Sequence, residues 1–127
     1  MNKEPIELLN LIAQTIFDKK GINILALDVK GLSSITDYIV IAEGNVDRHV
    51  MSIARAVVDE MEKRGERLLY SEGLGAGDWA VLDFGGIMVH LFMPGLREKY
   101  SLEKLWNDSR LIDLEIDVNP ATSYLRS

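Results

Sequence analysis

The chain has 127 residues, 47% hydrophobic and 27% charged, which fits one globular domain with a buried core and excludes a chain whose body is disordered. A net charge of −6 argues against a nucleic-acid binder working mainly through phosphates, which needs clustered Lys and Arg, and favours a partner with a basic surface. Cysteine is absent, so disulfides and thiol catalysis are excluded and a reducing, cytoplasmic setting fits.

The first residues lack the apolar core of a signal peptide, and no apolar run approaches the roughly 18 residues of a membrane span. Residues 4–20 read as a helix. Pro5 suits its first turn, Ile6, Leu9, Ala13, Ile16 and Phe17 recur at helical spacing, and Gly21 terminates it. Residues 23–29 read as a strand, 31–34 as a loop, and the nearly continuous apolar run 37–43 as a central strand buried on both sides. The two strands form a hairpin. Asn45 is the expected N-cap of a second helix that runs to about Arg64, with Val46, Val50, Ile53, Ala54, Val57 and Met61 on one stripe. Residues 67–72 form a short strand, and 73–77 a glycine-rich connector.

The most informative stretch is 78–94. It reads as a tight hairpin turning at Gly85-Gly86. A two-residue turn pairs Phe84 with Ile87, Leu82 with Val89 and Ala80 with Leu91 on one face. The opposite face then carries Asp83 with Met88, Val81 with His90, and Trp79 with Phe92. Both faces are largely apolar. The core of a small domain needs only one, so the other must be covered by this chain or by a partner. A short helix is expected at 101–106. Leu111, Ile112, Leu114 and Ile116 form an extended segment against the body, and 119–127 form a mobile tail. The expected architecture is a single α/β (α+β) domain with a mixed β-sheet flanked by helices. The domain occupies residues 1–110, and 111–127 form a C-terminal extension.

Chemistry-bearing motifs are sparse. Gly73-x-Gly75-x-Gly77 has the wrong spacing for a dinucleotide loop and precedes a strand, not a helix. The two histidines, His49 and His90, converge with Asp28, Asp37 or Glu43 only by tertiary accident, so no metal site or cofactor is expected. A nucleotide-transferring enzyme needs two carboxylates two residues apart on a strand and a Gly-Ser loop upstream. The second position after Asp37 is Ile39, and Ser33-Ser34 lacks an adjacent upstream glycine pair. A non-enzymatic role is therefore expected, with a metal-dependent nucleotide enzyme carried as the alternative.

Several strings resemble one family. They are Thr36-Asp37-Tyr38-Ile39-Val40-Ile41-Ala42, Asp47-Arg48-His49-Val50, Glu72-Gly73, Asp78-Trp79, Leu82-Asp83, Val89-His90-Leu91-Phe92 and the run from Arg97 to Trp106. In this order, over about residues 5–108, they resemble the ribosomal silencing factor, or Iojap-related, family. The resemblance implies a fold similar to nucleotidyltransferases but without their catalytic residues. It also implies a translational repressor that binds the large ribosomal subunit at its universal protein fourteen and blocks association with the small subunit. Glu43, Gly86 and Asn107 depart from the family's commoner residues at their positions.

These readings meet on the hairpin. The expected partner-binding residues are Asp78, Trp79, Val81, Met88, His90, Phe92, Met93, Pro94, Arg97, Glu98 and Tyr100. Aromatic residues and Met are the types enriched at interface centres, and the acidic members complement a basic ribosomal protein. The competing arrangement folds Leu102, Leu105 and Trp106 over the stripe. A homodimer is the rival use of the same surface.

Overall fold

The computed structural model describes residues 4–73, 78–95 and 110–117. Their elements run α1 (Pro5–Asp18), β1 (Ile22–Asp28), β2 (Tyr38–Glu43), α2 (Asp47–Lys63), β3 (Tyr70–Glu72), β4 (Trp79–Asp83), β5 (Ile87–Phe92) and β6 (Arg110–Leu111). The six strands form one mixed sheet in the order β3-β4-β5-β2-β1-β6. Only β2 and β5, joined through α2, β3 and β4, run parallel; every other neighbouring pair is antiparallel. This is the mixed α+β domain expected, with the 37–43 run at the sheet's centre.

Both helices pack on one face. Leu8, Leu9, Ile12 and Ile16 of α1 and Val50, Ile53, Ala54, Val57 and Met61 of α2 are buried with Ala26, Val40, Ala42, Ala80, Leu82, Phe84, Ile87, Val89 and Leu91. The strand residues in this set alternate along each strand, as a pleat requires. Each of the large aliphatic side chains contributes about 1.5–3 kcal/mol by leaving water.

Two helix ends differ from expectation. The helix α1 stops at Asp18, and Lys20, not Gly21, takes the left-handed conformation (φ 69°). Gly21 is instead buried against α1, where a Cβ would overlap the Ile16 side chain. At the other site the N-cap position is Val46, extended and without a side-chain cap bond; Asn45 lies one residue too early. The Asn45 N–H donates to His49 Nδ1 at 2.8 Å. The other ring nitrogen, Nε2, therefore carries the proton and donates to the Lys19 carbonyl at 2.6 Å. One imidazole thus joins the end of α1 to the start of α2.

The segment after β6 is extended, as the sequence suggested. The Ile112 N–H donates to Ala26 O at 2.8 Å. Glu115 N–H donates to Asn10 Oδ1 at 2.9 Å and Asp117 N–H to Gln14 Oε1 at 2.7 Å. Ile112 and Leu114 pack against the core, so residues 110–117 belong to the same fold as the sheet. The helix expected at 101–106 and the tail at 119–127 lie outside the described residues. Among the described residues no helix is long and apolar enough to cross a membrane.

Candidate functional site

The hairpin forms in the register the sequence dictates. Trp79 pairs with Phe92, Val81 with His90 and Asp83 with Met88. The Phe84 N–H bonds the Ile87 carbonyl at 2.9 Å, which closes a two-residue turn. Gly85 supplies the left-handed φ of 103° that this turn needs. The Asp83 carboxylate accepts the Gly85 N–H at 2.8 Å and steadies the turn further.

The strand registers extend these pairs across the whole second face. One row reads Tyr70, Asp83, Met88, Ile39, Leu27 and Leu111. The next reads Glu72, Val81, His90, Ile41 and Leu25. The third reads Trp79, Phe92, Glu43 and Ile22. The face divides in two. Leu27, Val29, Ile39, Ile41 and Phe92 are buried together, with Leu25 and Trp79 packed against them. Along β3, β4 and β5, Trp79, Asp83, Met88 and His90 are only half-buried, and Tyr70 is 55% exposed.

This division corrects the expected stripe. Phe92 is 4% exposed and Val81 9%, so both are floor beneath the surface. Phe92 sits on a strand flanked on both sides and has the β1–β2 aliphatics to pack against. Met93 turns to the helical side and packs on the main core. Asp78 and Pro94 are exposed at the hairpin's open end. The open members that remain are Asp78, Trp79, Met88, His90 and Pro94. Arg97, Glu98 and Tyr100 lie outside the described residues. The sequence reading missed two exposed residues: Tyr70, which extends the strip to the sheet edge and is 55% exposed, and Leu69 beside it, 65% exposed. Their signal was the Leu68-Leu69-Tyr70 run beside a three-residue edge strand: only alternate members of such a run can face the core.

His90 is the polar centre of the strip. Its ring stacks on Phe92, with centroids 6.3 Å apart and planes 10° from parallel. Burial pushes its pKa down to about 4, so the ring is neutral at physiological pH. The carboxylates Asp78, Asp83 and Glu72 border the strip.

Among the described residues the other titratable groups do not assemble a reaction centre with it. Asp28 accepts the Lys30 N–H at 3.0 Å and the Arg110 guanidinium at 3.0 Å, at the far edge of the sheet. His49 is occupied between the helices. Among the described residues no three His, Cys, Asp or Glu side chains converge as metal ligands.

Fold and face together define a small α+β scaffold that presents a partly open apolar sheet strip beside a closed one. The chain belongs to the family described as ribosomal silencing factor during starvation, which matches residues 2–125. It is 39% identical over 119 residues to ribosomal silencing factor RsfS of Bacillus subtilis, an alignment spanning 94% of this chain and 99% of that protein. It is 29% identical over 119 residues to the Mus musculus protein named mitochondrial assembly of ribosomal large subunit protein 1, spanning 88% of this chain and 52% of the mouse protein. A crystal structure of a Chromobacterium violaceum protein superposes with a TM-score of 0.80 at 29% identity, covering 96% of this chain and 99% of that one. Membership places the chain among ribosome-associated regulators of translation.

Proposed function

We propose that this chain is a non-catalytic, cytoplasmic translational repressor. It docks on the large ribosomal subunit through the universal protein fourteen and blocks association with the small subunit. The observation that carries this reading is the half-open strip of Trp79, Met88 and His90 on a rigid sheet, next to a strip that the chain has already buried. Aromatic and Met side chains held on strands lose little entropy when covered, which suits the centre of an interface. The acidic border of Asp78, Asp83 and Glu72 suits a basic ribosomal surface. The mouse relative's name refers to the large subunit, which is the subunit assigned here. An interface of about 800 Å² per partner suffices for specific binding. On sequence grounds Arg97, Glu98 and Tyr100 join the contact.

The test is co-sedimentation with purified large subunits. Trp79→Glu is expected to keep the circular dichroism of the parent and to lose co-sedimentation. Undiminished co-sedimentation of the folded variant would overturn the reading. A tight dimer that persists when large subunits are added would favour self-association instead.

A further inference from the structure

Met88 and the floor beneath it can be covered by any apolar surface, but the His90 imidazole, like the Trp79 indole N–H, cannot. Its imidazole lies in the middle of the strip, between Val81 on β4 and Ile41 on β2. Among the described residues it makes no hydrogen bond; its one specific contact is the stack on Phe92. In the free chain the half-buried ring still reaches solvent. A partner that closes the strip removes that solvent and leaves the ring unsatisfied unless it supplies a group to bond.

The surroundings select which group. Among the described residues the charged side chains on the strands beside His90 are Glu72 of β3, Asp83 of β4 and Glu43 of β2, all acidic; Glu43 is buried and accepts the Asn23 amide at 3.2 Å, so Glu72 and Asp83 set the field at the surface. Their field repels an incoming carboxylate and attracts a cationic donor. A neutral imidazole accepts from such a donor without opposing it, whereas an imidazolium would repel it.

We propose that His90 is a specificity-determining residue of the docking strip, accepting a hydrogen bond from a Lys or Arg side chain of the ribosomal partner. This rests on the docking reading above. The ring is held on an interior strand of the sheet and stacked on Phe92. Since it stays neutral in both free and bound states, it contributes no proton uptake to binding.

The experiment measures affinity for purified large subunits with parent, His90→Phe, His90→Gln and Trp79→Glu, across pH 6 to 8. Phe keeps the stack and the shape but leaves the partner's donor unpaired; an affinity loss of about tenfold is expected. Gln restores an acceptor and is expected to recover part of that loss. The ratio of parent to His90→Phe is expected to be flat with pH. Equal affinity of His90→Phe and parent, with binding abolished in Trp79→Glu, would overturn the role of His90 and leave the docking reading standing. A ratio that shrinks as pH rises from 6 to 8 would overturn it differently, by pointing to a partner carboxylate that protonates the ring. Normal binding by Trp79→Glu would remove the docking reading itself and the role of His90 with it.

Discussion

The Arg110 guanidinium donates to the Asp28 carboxylate at 3.0 Å, across 82 positions of sequence, and so closes the last strand onto the edge of the sheet. The same carboxylate accepts the Lys30 N–H through its other oxygen. Arg110 is largely exposed, so Arg110→Ala should cost only about 0.5 kcal/mol. Asp28→Ala also strips the Lys30 amide of its acceptor and should cost about 1–2 kcal/mol in urea denaturation. The Lys30 amide, then the Arg110 and Lys30 charges, hold the Asp28 carboxyl below its ordinary 3.8, against the effect of burial. A depressed carboxyl pKa stabilises the fold above the unfolded value and loses that contribution as pH falls through the folded one. The gap between parent and Asp28→Asn should therefore close in acid below about pH 4 and stay constant above pH 5.

Asn10 and Gln14 receive two amides of the closing segment, Glu115 and Asp117. Residues four apart on a helix lie about 6 Å from one another, close to the rise of two residues along a strand. The α1 amide side chains thus stand in for a neighbouring strand. Gln14→Ala should lower stability by about 1 kcal/mol. Amide exchange at Asp117 should speed about tenfold while exchange at Val40 in the sheet centre is unchanged. Equal protection at Asp117 would contradict the pairing.

Burial holds the His90 pKa at about 4, below the ordinary 6.5. For a histidine lowered in the folded state, the unfolded chain binds the proton first, so stability falls as pH drops from about 6.5 to about 4 and levels off below. The full effect is on the order of 3 kcal/mol. Urea denaturation of the parent at pH 7 and pH 5 should show the loss, and His90→Phe should lack that part of it.

Gly73 sits against Trp79 with φ 85°, where a Cβ would overlap the Trp79 carbonyl oxygen. Neither the backbone angle nor the contact admits a side chain. Gly73→Ala should destabilise by about 2 kcal/mol or more. It should also shift the indole fluorescence, because the strand carrying Trp79 must move. An unshifted spectrum with parental stability would contradict the packing.

The sequence reading reached far because the hairpin specifies itself. A Gly-Gly turn fixes register, and register fixes which side chains share a face; the three pairs opposite the helices appear as expected. The run 37–43 announced a central strand by having no polar alternation. What sequence could not reveal was how the second face is divided. Val81, Phe92, Trp79 and His90 lie on one alternation, yet Val81 and Phe92 are buried while Trp79 and His90 are half-buried, and only Phe92 is enclosed among the β1–β2 aliphatics. Met93, placed in the stripe by its position in the run, follows the odd-numbered side of β5 into the main core. The helix ends were misplaced for a related reason. His49, held by its contact with the Lys19 carbonyl, takes up the Asn45 amide, and Gly21 is small because of Ile16, not because of its φ.

Subunit joining tests the central claim most directly. Purified large and small subunits are mixed with increasing amounts of this protein or of Trp79→Glu, and the products are separated on sucrose gradients. The parent should ride with the large subunit and reduce joined ribosomes in proportion to occupancy, while Trp79→Glu leaves joining unchanged. Large subunits saturated with the parent yet joining small subunits at the normal level would contradict the account.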